Sequence, residues 1–390
     1  MRAAVIGGSI GGLTAALLLH DLGVEVDVYE RSPAELAQRG AGIGFLPESQ
    51  RYLVERAGVA LDSISIVTSH IRYLGRDGEA IYDGEHQYRF SSWNTVYRQL
   101  LACIKPSLYH LGHEMSAWDD NGEVVQAHFT NRPSHTVDLL ICADGVGSTA
   151  RMRLLPSVQP SYAGYVAWRG MVPESSLDAA TRAIFDDAIT YYVYANSHIL
   201  VYPIPGLDGS VKPGERLINF VWYRNYLKGG DLDDVLTDDA GQRRDISLPP
   251  GAATSRHVAE LRAVATARLP EAIARVVCST EQPFLQVVYD IEVPRMAFGR
   301  VCLIGDAAFV ARPHAAAGTA KAAADAWALA GAIEGQSNVP AMLSQWEPGQ
   351  LVLGQQLLER NRRNGRRSQF DGTWAPGDPD LIFGLRAPGV

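Results

Sequence analysis

The sequence has little cysteine, no long apolar run and no excess of basic charge, and each shortage closes off a class of protein. Its four cysteines, Cys103, Cys142, Cys278 and Cys302, are scattered and sit mostly in apolar runs. No CxxC or Cys/His spacing joins them, so neither a disulfide framework nor a zinc site is expected. They read as small core residues of a protein kept in a reducing compartment. No run is long enough to span a bilayer. The first residues lack the charged-then-apolar pattern of a signal peptide, so a cytoplasmic protein with no membrane association is expected. A formal net charge of -8 argues against nucleic acid as a partner. Internal repeats and low-complexity segments are missing too. What is there is a chain of 390 residues, 47% of them hydrophobic, long enough for two or three packed units without covalent staples.

Ala3 to Ile6 is an apolar run that ends in glycines and reads as a buried parallel strand. Helix formers fill Leu13 to Leu22, and Val24 to Tyr29 reads as a second strand closed by Glu30. The acidic residue falls about twenty positions beyond the turn, as in a dinucleotide-binding fingerprint. Gly7 permits the tight turn, and Gly12 lets the helix lie against the strand. Ser9 stands where the close approach of a pyrophosphate normally demands glycine. It is small, and its hydroxyl can itself donate to a phosphate. The helix start adds amide donors and a favourable dipole. Glu30 is placed to accept from a ribose hydroxyl, with Arg31 beside it. The same residues would also serve an ordinary α/β turn with packing glycines, but the spacing favours an adenine dinucleotide.

Two later stretches have the same character. Val137 to Cys142 reads as a strand running into Asp144-Gly145 and then a helix carrying Arg151 and Arg153. In "GRVCLIGDAAFVARPHAAAGTAKAAADAWALA" a strand ends at Gly305-Asp306, a loop carries Pro313-His314, and a helix opens near Gly318. Each is generic alone. Together, in this order, the three resemble the class A flavoprotein aromatic hydroxylases, the para-hydroxybenzoate hydroxylase type, across essentially the whole chain. The stretches "YAGYVAWRG", "HILVYPIPG" and "ARPHAAAGTAKAAADA" look like the 2,6-dihydroxypyridine 3-monooxygenase branch. Departures from the common pattern accompany that variant. Phe309 stands where histidine is usual, His314-Ala315-Ala316-Ala317 replaces the polar and glycine lead into the helix, and Lys321 replaces asparagine.

The resemblance implies bound FAD, with NADH or NADPH binding transiently. Gly7, Ser9, Gly12 and Glu30 would hold its ADP part, and Asp144 would support the second motif. Asp306 would take the ribityl hydroxyls. Amides near Gly318 and Thr319 would face the pyrimidine edge of the ring, where a helix N-terminus stabilises negative charge. Arg98, in "NTVYRQLLACI", matches an arginine near the pyrophosphate and ribityl chain. The glycine-rich "RGAGIGF", Arg39 to Phe45, would pass close to the ring or move with it. The implied activity is NAD(P)H- and O2-dependent hydroxylation of a small electron-rich aromatic or N-heteroaromatic ring through a flavin C(4a)-hydroperoxide. A dihydroxypyridine is the foremost substrate. A hydroxylase of a larger natural product and a non-catalytic flavin-binding module are the alternatives.

From Tyr162 to about Asp290 aromatic and β-branched runs alternate with Gly, Pro, Asn and Asp, which predicts antiparallel strands. This sheet should roof the flavin. Candidates for its pocket are Trp168, Tyr192, Tyr194, His198, Tyr202, Trp222 and Tyr223, with strand alternation turning about half of them elsewhere. His314, after Pro313 on the loop beside the flavin, or a pocket tyrosine, is the candidate for a base at the substrate, with His198 behind them. Asn121-Gly122 marks a hairpin in the flavin unit. "LLERNRRNGRRSQFDG" puts arginines on a helix that reads as a solvated face or subunit contact, and a homodimer is expected. The predicted fold is α/β: a Rossmann-like FAD-binding domain (1-70, 95-160 and 291-345), an antiparallel or mixed sheet domain for substrate (71-94 and 161-290), and a C-terminal helix and tail (346-390).

Overall fold

The computed structural model describes residues 1-36 and 41-390; Arg39 and Gly40 of the "RGAGIGF" loop lie outside the described residues. A six-stranded sheet forms around the N-terminal strand, in the order β17 (Ala297–Phe298), β18 (Val301–Leu303), β10 (Leu139–Cys142), β1 (Arg2–Ile6), β2 (Glu25–Glu30), β6 (Tyr109–Leu111). All pairs but β17 with β18 are parallel. Ala3 to Ile6 is buried throughout, which is why it reads as an unbroken apolar run rather than an alternating one. Val5 sits between Val28 and Ile141. The three motifs therefore leave the sheet from neighbouring strands: β1 into α1 (Ile10–Asp21), β10 into α4 (Thr149–Leu154), and β18 into the loop before α9 (Gly318–Ile333). All three open at the carboxyl edge, where α/β sheets bind ligands.

A ten-stranded sheet forms the second layer. Its order is β15 (Ser247–Leu248), β16 (Phe284–Glu292), β11 (Ser161–Pro173), β14 (Leu217–Asn225), β13 (Ser197–Ile204), β12 (Ala188–Tyr194), β4 (Ile66–Leu74), β5 (Ala80–Ser92), β3 (Gly42–Gly44), with β19 (Phe309–Val310) joined to β16. The expected boundary kept residues 1-70 together in the nucleotide unit. Pairing moves two parts of that span: Gly42 lies opposite Ser92, and Ile66 opposite Phe90. One face of this sheet packs on α5 (Ala179–Phe185), α6 (Gly230–Val235), α7 (Ser255–Arg268) and α8 (Glu271–Ser279) around a core of Trp168, Trp222, Ile199 and Leu261. The other face turns toward the nucleotide unit. A third sheet, β7 (Met115–Asp120), β8 (Val125–Phe129) and β9 (Arg132–Val137), contains the expected hairpin. Its turn closes by an Asx contact, the Glu123 and Val124 amides donating to Asn121 Oδ1.

Helix α9 packs between α1, α2 (Pro47–Glu55) and α10 (Val339–Arg366), and α3 (Trp93–Cys103) packs on α1. α10 begins seven residues before the expected C-terminal segment, at Val339 rather than 346. Its arginines are not simply solvated. Arg360 is buried and donates to the Gly384 carbonyl, and Arg362 pairs with Asp290 and Glu292. The helix is gripped by the tail on one side and by β16 on the other. No helix among the described residues is long and apolar enough to cross a membrane.

Candidate active site

Two cavities meet at the fingerprint turn, and Ser9, Ala143 and Gly145 line both. The smaller, about 200 Å³, is bordered by Gly7, Tyr29, Glu30, Arg31, Asp144 and Gly147. Gly7 has φ +105, and a Cβ there would stand 2.3 Å from the Ala143 carbonyl oxygen. At Gly12 a Cβ would meet the Gly7 carbonyl oxygen at 1.9 Å. The turn thus requires both glycines on steric grounds alone. Nothing comparable applies at Ser9, the N-cap of α1, whose hydroxyl makes no capping bond to the helix. Glu30 is buried, and its two oxygens accept from the Gly8 amide at 2.9 Å and the Ser32 amide at 2.8 Å. It therefore builds the turn, and each oxygen keeps a lone pair for a ligand. Asp144 accepts from Ser148 Oγ at 2.5 Å and from the Ala150 amide at 3.2 Å, while burial pushes its carboxyl up. Arg151 is buried beneath and donates to the carbonyls of Val146 and Ala307, bolting the second motif to the third.

The larger cavity, about 420 Å³, runs from Ser9 and Asp306 to a roof made by the ten-stranded sheet. The Asp306 side chain is open to the cavity but ringed by the rest of the molecule. Burial pushes its carboxyl up to about 6, against the pull of Arg151 and Lys321. Lys321 and Asp325 form a buried ion pair at 2.5 Å, and Asp325 Oδ2 accepts from the Gly305 amide at 2.9 Å, so α9 is tied to the Gly305-Asp306 turn. α9 starts at this cavity with no side-chain cap, and Gly318 and Thr319 line it. Thr319 Oγ1 is buried with no partner.

These features suit a flavin dinucleotide. Two uncapped helix starts aim amide donors into connected cavities, a place for pyrophosphate at one and for anionic ring oxygens at the other. The orphaned Thr319 hydroxyl needs a ligand to complete it.

The roof overturns part of the expected pocket. Tyr202 and Tyr223 line the cavity; Trp168, Trp222, Tyr192 and Tyr194 do not. Register explains it. Trp168 lies opposite Trp222, and Trp222 opposite Ile199, so this row faces α7 and α8. Their neighbours Ala167, Val221 and Leu200 face the cavity. The indole nitrogens are already satisfied, Trp168 by the Tyr226 hydroxyl and Trp222 by Ser197 Oγ. Tyr192 and Tyr194 stack on each other against the same helix-side core.

Both histidines are also displaced. Pro313 lines the cavity, but His314 and His198 lie behind its wall, 3% and 1% exposed. His314 Nε2 bonds the Tyr165 hydroxyl at 2.7 Å, and its ring packs on Tyr223 at 4.9 Å. Gln369 Nε2 donates to His198 Nδ1 at 3.2 Å. Burial pushes His198 down to about 3 and His314 well below the ordinary range, so both rings are neutral. Ala316, at φ +53, makes the turn that lets Pro313 face the cavity while the Ala315 amide donates inward to Asn361. Arg98 is exposed on α3 and lines neither cavity; Trp93, a turn and a half earlier, lines the larger one. The reading of the sequence missed Arg169, Gln286 and Phe90, all on the cavity wall. Strand alternation from Trp168 puts Arg169 on the opposite, cavity-facing side.

A βαβ dinucleotide turn, a second cavity at the start of α9 and a sheet roof define a two-layer flavin-dependent oxidoreductase. Comparison with known proteins gives the particular group. A family model described as FAD binding domain-like matches residues 162-290. The chain is 39% identical to 2,6-dihydroxypyridine 3-monooxygenase of Paenarthrobacter nicotinovorans, over 98% of this chain and 96% of the other. It is 28% identical to 3-amino-4-hydroxybenzoate 2-monooxygenase of Streptomyces cremeus, over 93% and 86%. The solved structure of 2,6-dihydroxypyridine-3-hydroxylase from Arthrobacter nicotinovorans superposes with a TM-score of 0.93 at 38% identity, covering 99% of this chain and 97% of that one. The chain belongs to the FAD-dependent aromatic hydroxylases, enzymes that use NAD(P)H and O2 to hydroxylate an aromatic or heteroaromatic ring.

Proposed function

We propose that this enzyme hydroxylates a small hydroxypyridine, 2,6-dihydroxypyridine foremost, with NADH or NADPH as reductant. The carrying observation is the size of the roofed cavity. A cavity of about 420 Å³ under the sheet roof suits one small ring packed beside an isoalloxazine. The name of the relative at 39% identity supports the same substrate.

In this reading Gly7, Ser9, Gly12, Glu30 and Arg31 hold the ADP part, and Asp144 stiffens the turn beside the pyrophosphate. Asp306 would take the ribityl hydroxyls, and the Gly318 and Thr319 amides would serve the pyrimidine end of the ring. Bound FAD supplies the electron transfer and the oxygen activation. The chain positions and dries the reacting ring. Ala167, Leu200 and Val221 exclude water, and the Tyr202 and Tyr223 hydroxyls orient ring substituents by hydrogen bonds. Pro313 bounds the ring end. His314 acts from behind, holding the Tyr165 hydroxyl and supporting Tyr223. The protein works in the cytoplasm as a homodimer. Its four free cysteines suit a reducing compartment, and Met152 and Ile246, exposed along one surface groove, offer a contact surface.

The test adds hydroxypyridines and phenols to the FAD-loaded enzyme. It follows NADH and NADPH oxidation and weighs the product. Stimulated oxidation with a product heavier by one oxygen from 2,6-dihydroxypyridine is expected. Stimulation by that ring with peroxide as the sole product, or by larger rings alone, overturns the assignment. Sedimentation mass tests the dimer.

A further inference from the structure

Among the described residues, two side chains on the wall of the larger cavity carry charge, Asp306 and Arg169. Arg169 sits on β11 in the sheet roof. Its hydrogen bonds run to neutral acceptors, Gln286 Oε1 at 2.9 Å and the Gly42 carbonyl at 2.7 Å. Its Nε is buried without a partner. Asn219 Nδ2, on a fully buried side chain, is unpartnered as well, while Asn219 Oδ1 accepts from the Gly42 amide at 3.0 Å. The Tyr202 hydroxyl lies against both groups. The corner therefore holds unused donors and a positive charge that is hydrogen-bonded to neutral acceptors. Leaving a guanidinium half-buried without a counter-charge is costly, and the corner is held rigid by its bonds to Gln286 and Gly42.

We infer that Arg169 is a specificity-determining residue: it is the counter-ion for an ionised ring oxygen, so the site selects rings whose hydroxyl is acidic enough to bind as the anion. The inference rests on the reading that the roofed end of the cavity takes the substrate ring. An oxyanion accepts charge-assisted hydrogen bonds from a guanidinium and supplies the counter-charge that Gln286 and Gly42 do not, whereas a neutral hydroxyl supplies no charge. The proton leaves to solvent before the ring enters. No titratable side chain facing Arg169 can take it. Tyr202 from β13 and Tyr223 from β14 stay protonated because burial pushes both up, Gln286 and Asn219 do not titrate, and Asp306 lies at the far end with the fingerprint turn. Gly42 contributes only backbone, and the buried histidines lie behind Tyr223.

The experiment measures ring binding to the FAD-loaded enzyme by the change in flavin absorbance. It uses 2,6-dihydroxypyridine, a less acidic phenol and 2,6-dimethoxypyridine, across the pH range in which each hydroxyl ionises. Affinity is expected to rise through each ring's own pKa, and the dimethoxy ring should bind at least about tenfold more weakly. Arg169→Met should abolish the rise, and Arg169→Lys should restore part of it. Affinity that ignores ring ionisation in the unaltered enzyme, or a rise that survives in Arg169→Met, overturns the inference. If Arg169→Met fails to retain FAD, the series on the unaltered enzyme decides alone. Product mass separates this from the substrate assignment. Rings can bind as anions through Arg169 while 2,6-dihydroxypyridine gives no hydroxylated product, and hydroxylation can persist in an enzyme indifferent to ring charge.

Discussion

The two faces of the ten-stranded sheet share strands and differ in how finished they are. On the helix side Trp168, Trp222, Ile199 and Val201 are buried, and both indole nitrogens have acceptors. On the cavity side the alternate residues of the same strands include Arg169, Tyr202 and Tyr223, and Arg169 Nε lacks a partner. A face whose polar groups are all paired gains nothing from a ligand. A face with buried donors left over is completed by one. Aromatic content does not tell the two apart; hydrogen-bond completion does.

Cutting each face separately is the strongest way to break this contrast. Trp222→Ala should cost about 3–5 kcal/mol of folding stability, since it empties a fully buried site, while the ring affinity of the protein that still folds stays within about threefold. Tyr223→Phe should cost about 1 kcal/mol or less in stability and change ring binding instead. Urea unfolding and flavin-absorbance titration of the two variants check the pair. A Trp222→Ala enzyme of unchanged stability, or one that loses ring affinity more than Tyr223→Phe does, would remove the distinction.

Behind the cavity wall the contrast continues in charge. His198 and His314 are neutral in the folded state, whereas an unfolded chain protonates its histidines near pH 6.5. Below that pH the unfolded state binds more protons. Folding stability therefore falls with acidification, until His198 takes its own proton at about 3. Each histidine contributes a slope of up to about 1.4 kcal/mol per pH unit. Asp306 works the other way. Its carboxyl, pushed up to about 6, takes a proton in the folded state first. Since that carboxyl opens on the cavity, solvent reduces its effect. The net expectation is a loss of stability from about pH 6 to pH 4, with His198→Asn removing up to about 1.4 kcal/mol per unit of the slope. Urea unfolding at several pH values measures it, and an unchanged slope in His198→Asn would mean that the ring is protonated when folded.

How legible each region was follows from the range of the interactions that set it. The fingerprint is local. Gly7, Gly12 and Glu30 are explained by contacts to Ala143, to the turn itself and to the Gly8 and Ser32 amides, and all but the first lie within one βαβ unit. Asp144 and Asp306 were legible for a similar reason, each closing a strand-to-helix turn. The roof was not. Alternation separates Trp222 from Tyr223 but does not say which faces in; that choice is made by α7 and α8, residues Ser255 to Ser279, settling on one side. His314 was misread because its direction depends on the left-handed Ala316 and on Asn361, 46 residues away behind the Ala315 amide. Pro313 lines the cavity, and the direction of the His314 side chain was beyond what the resemblance to a family fixed.

The mildest test lies at the start of α9. Thr319 Oγ1 is buried at the start of α9 and bonds nothing in the protein alone. Thr319→Val keeps the shape of the side chain and removes the hydroxyl. Without FAD the substitution should leave the melting temperature unchanged or raise it slightly, because a buried donor with no acceptor is lost. With FAD bound it should lower FAD affinity about fivefold, the worth of roughly 1 kcal/mol for one hydrogen bond. The opposite signs of the two effects are the signature, and differential scanning with and without FAD reads both. A variant equally destabilised in both states would mean that the hydroxyl serves the helix and not the ligand. The contrast between complete and ligand-completed surfaces would then end at the roof and not extend to the floor of the cavity.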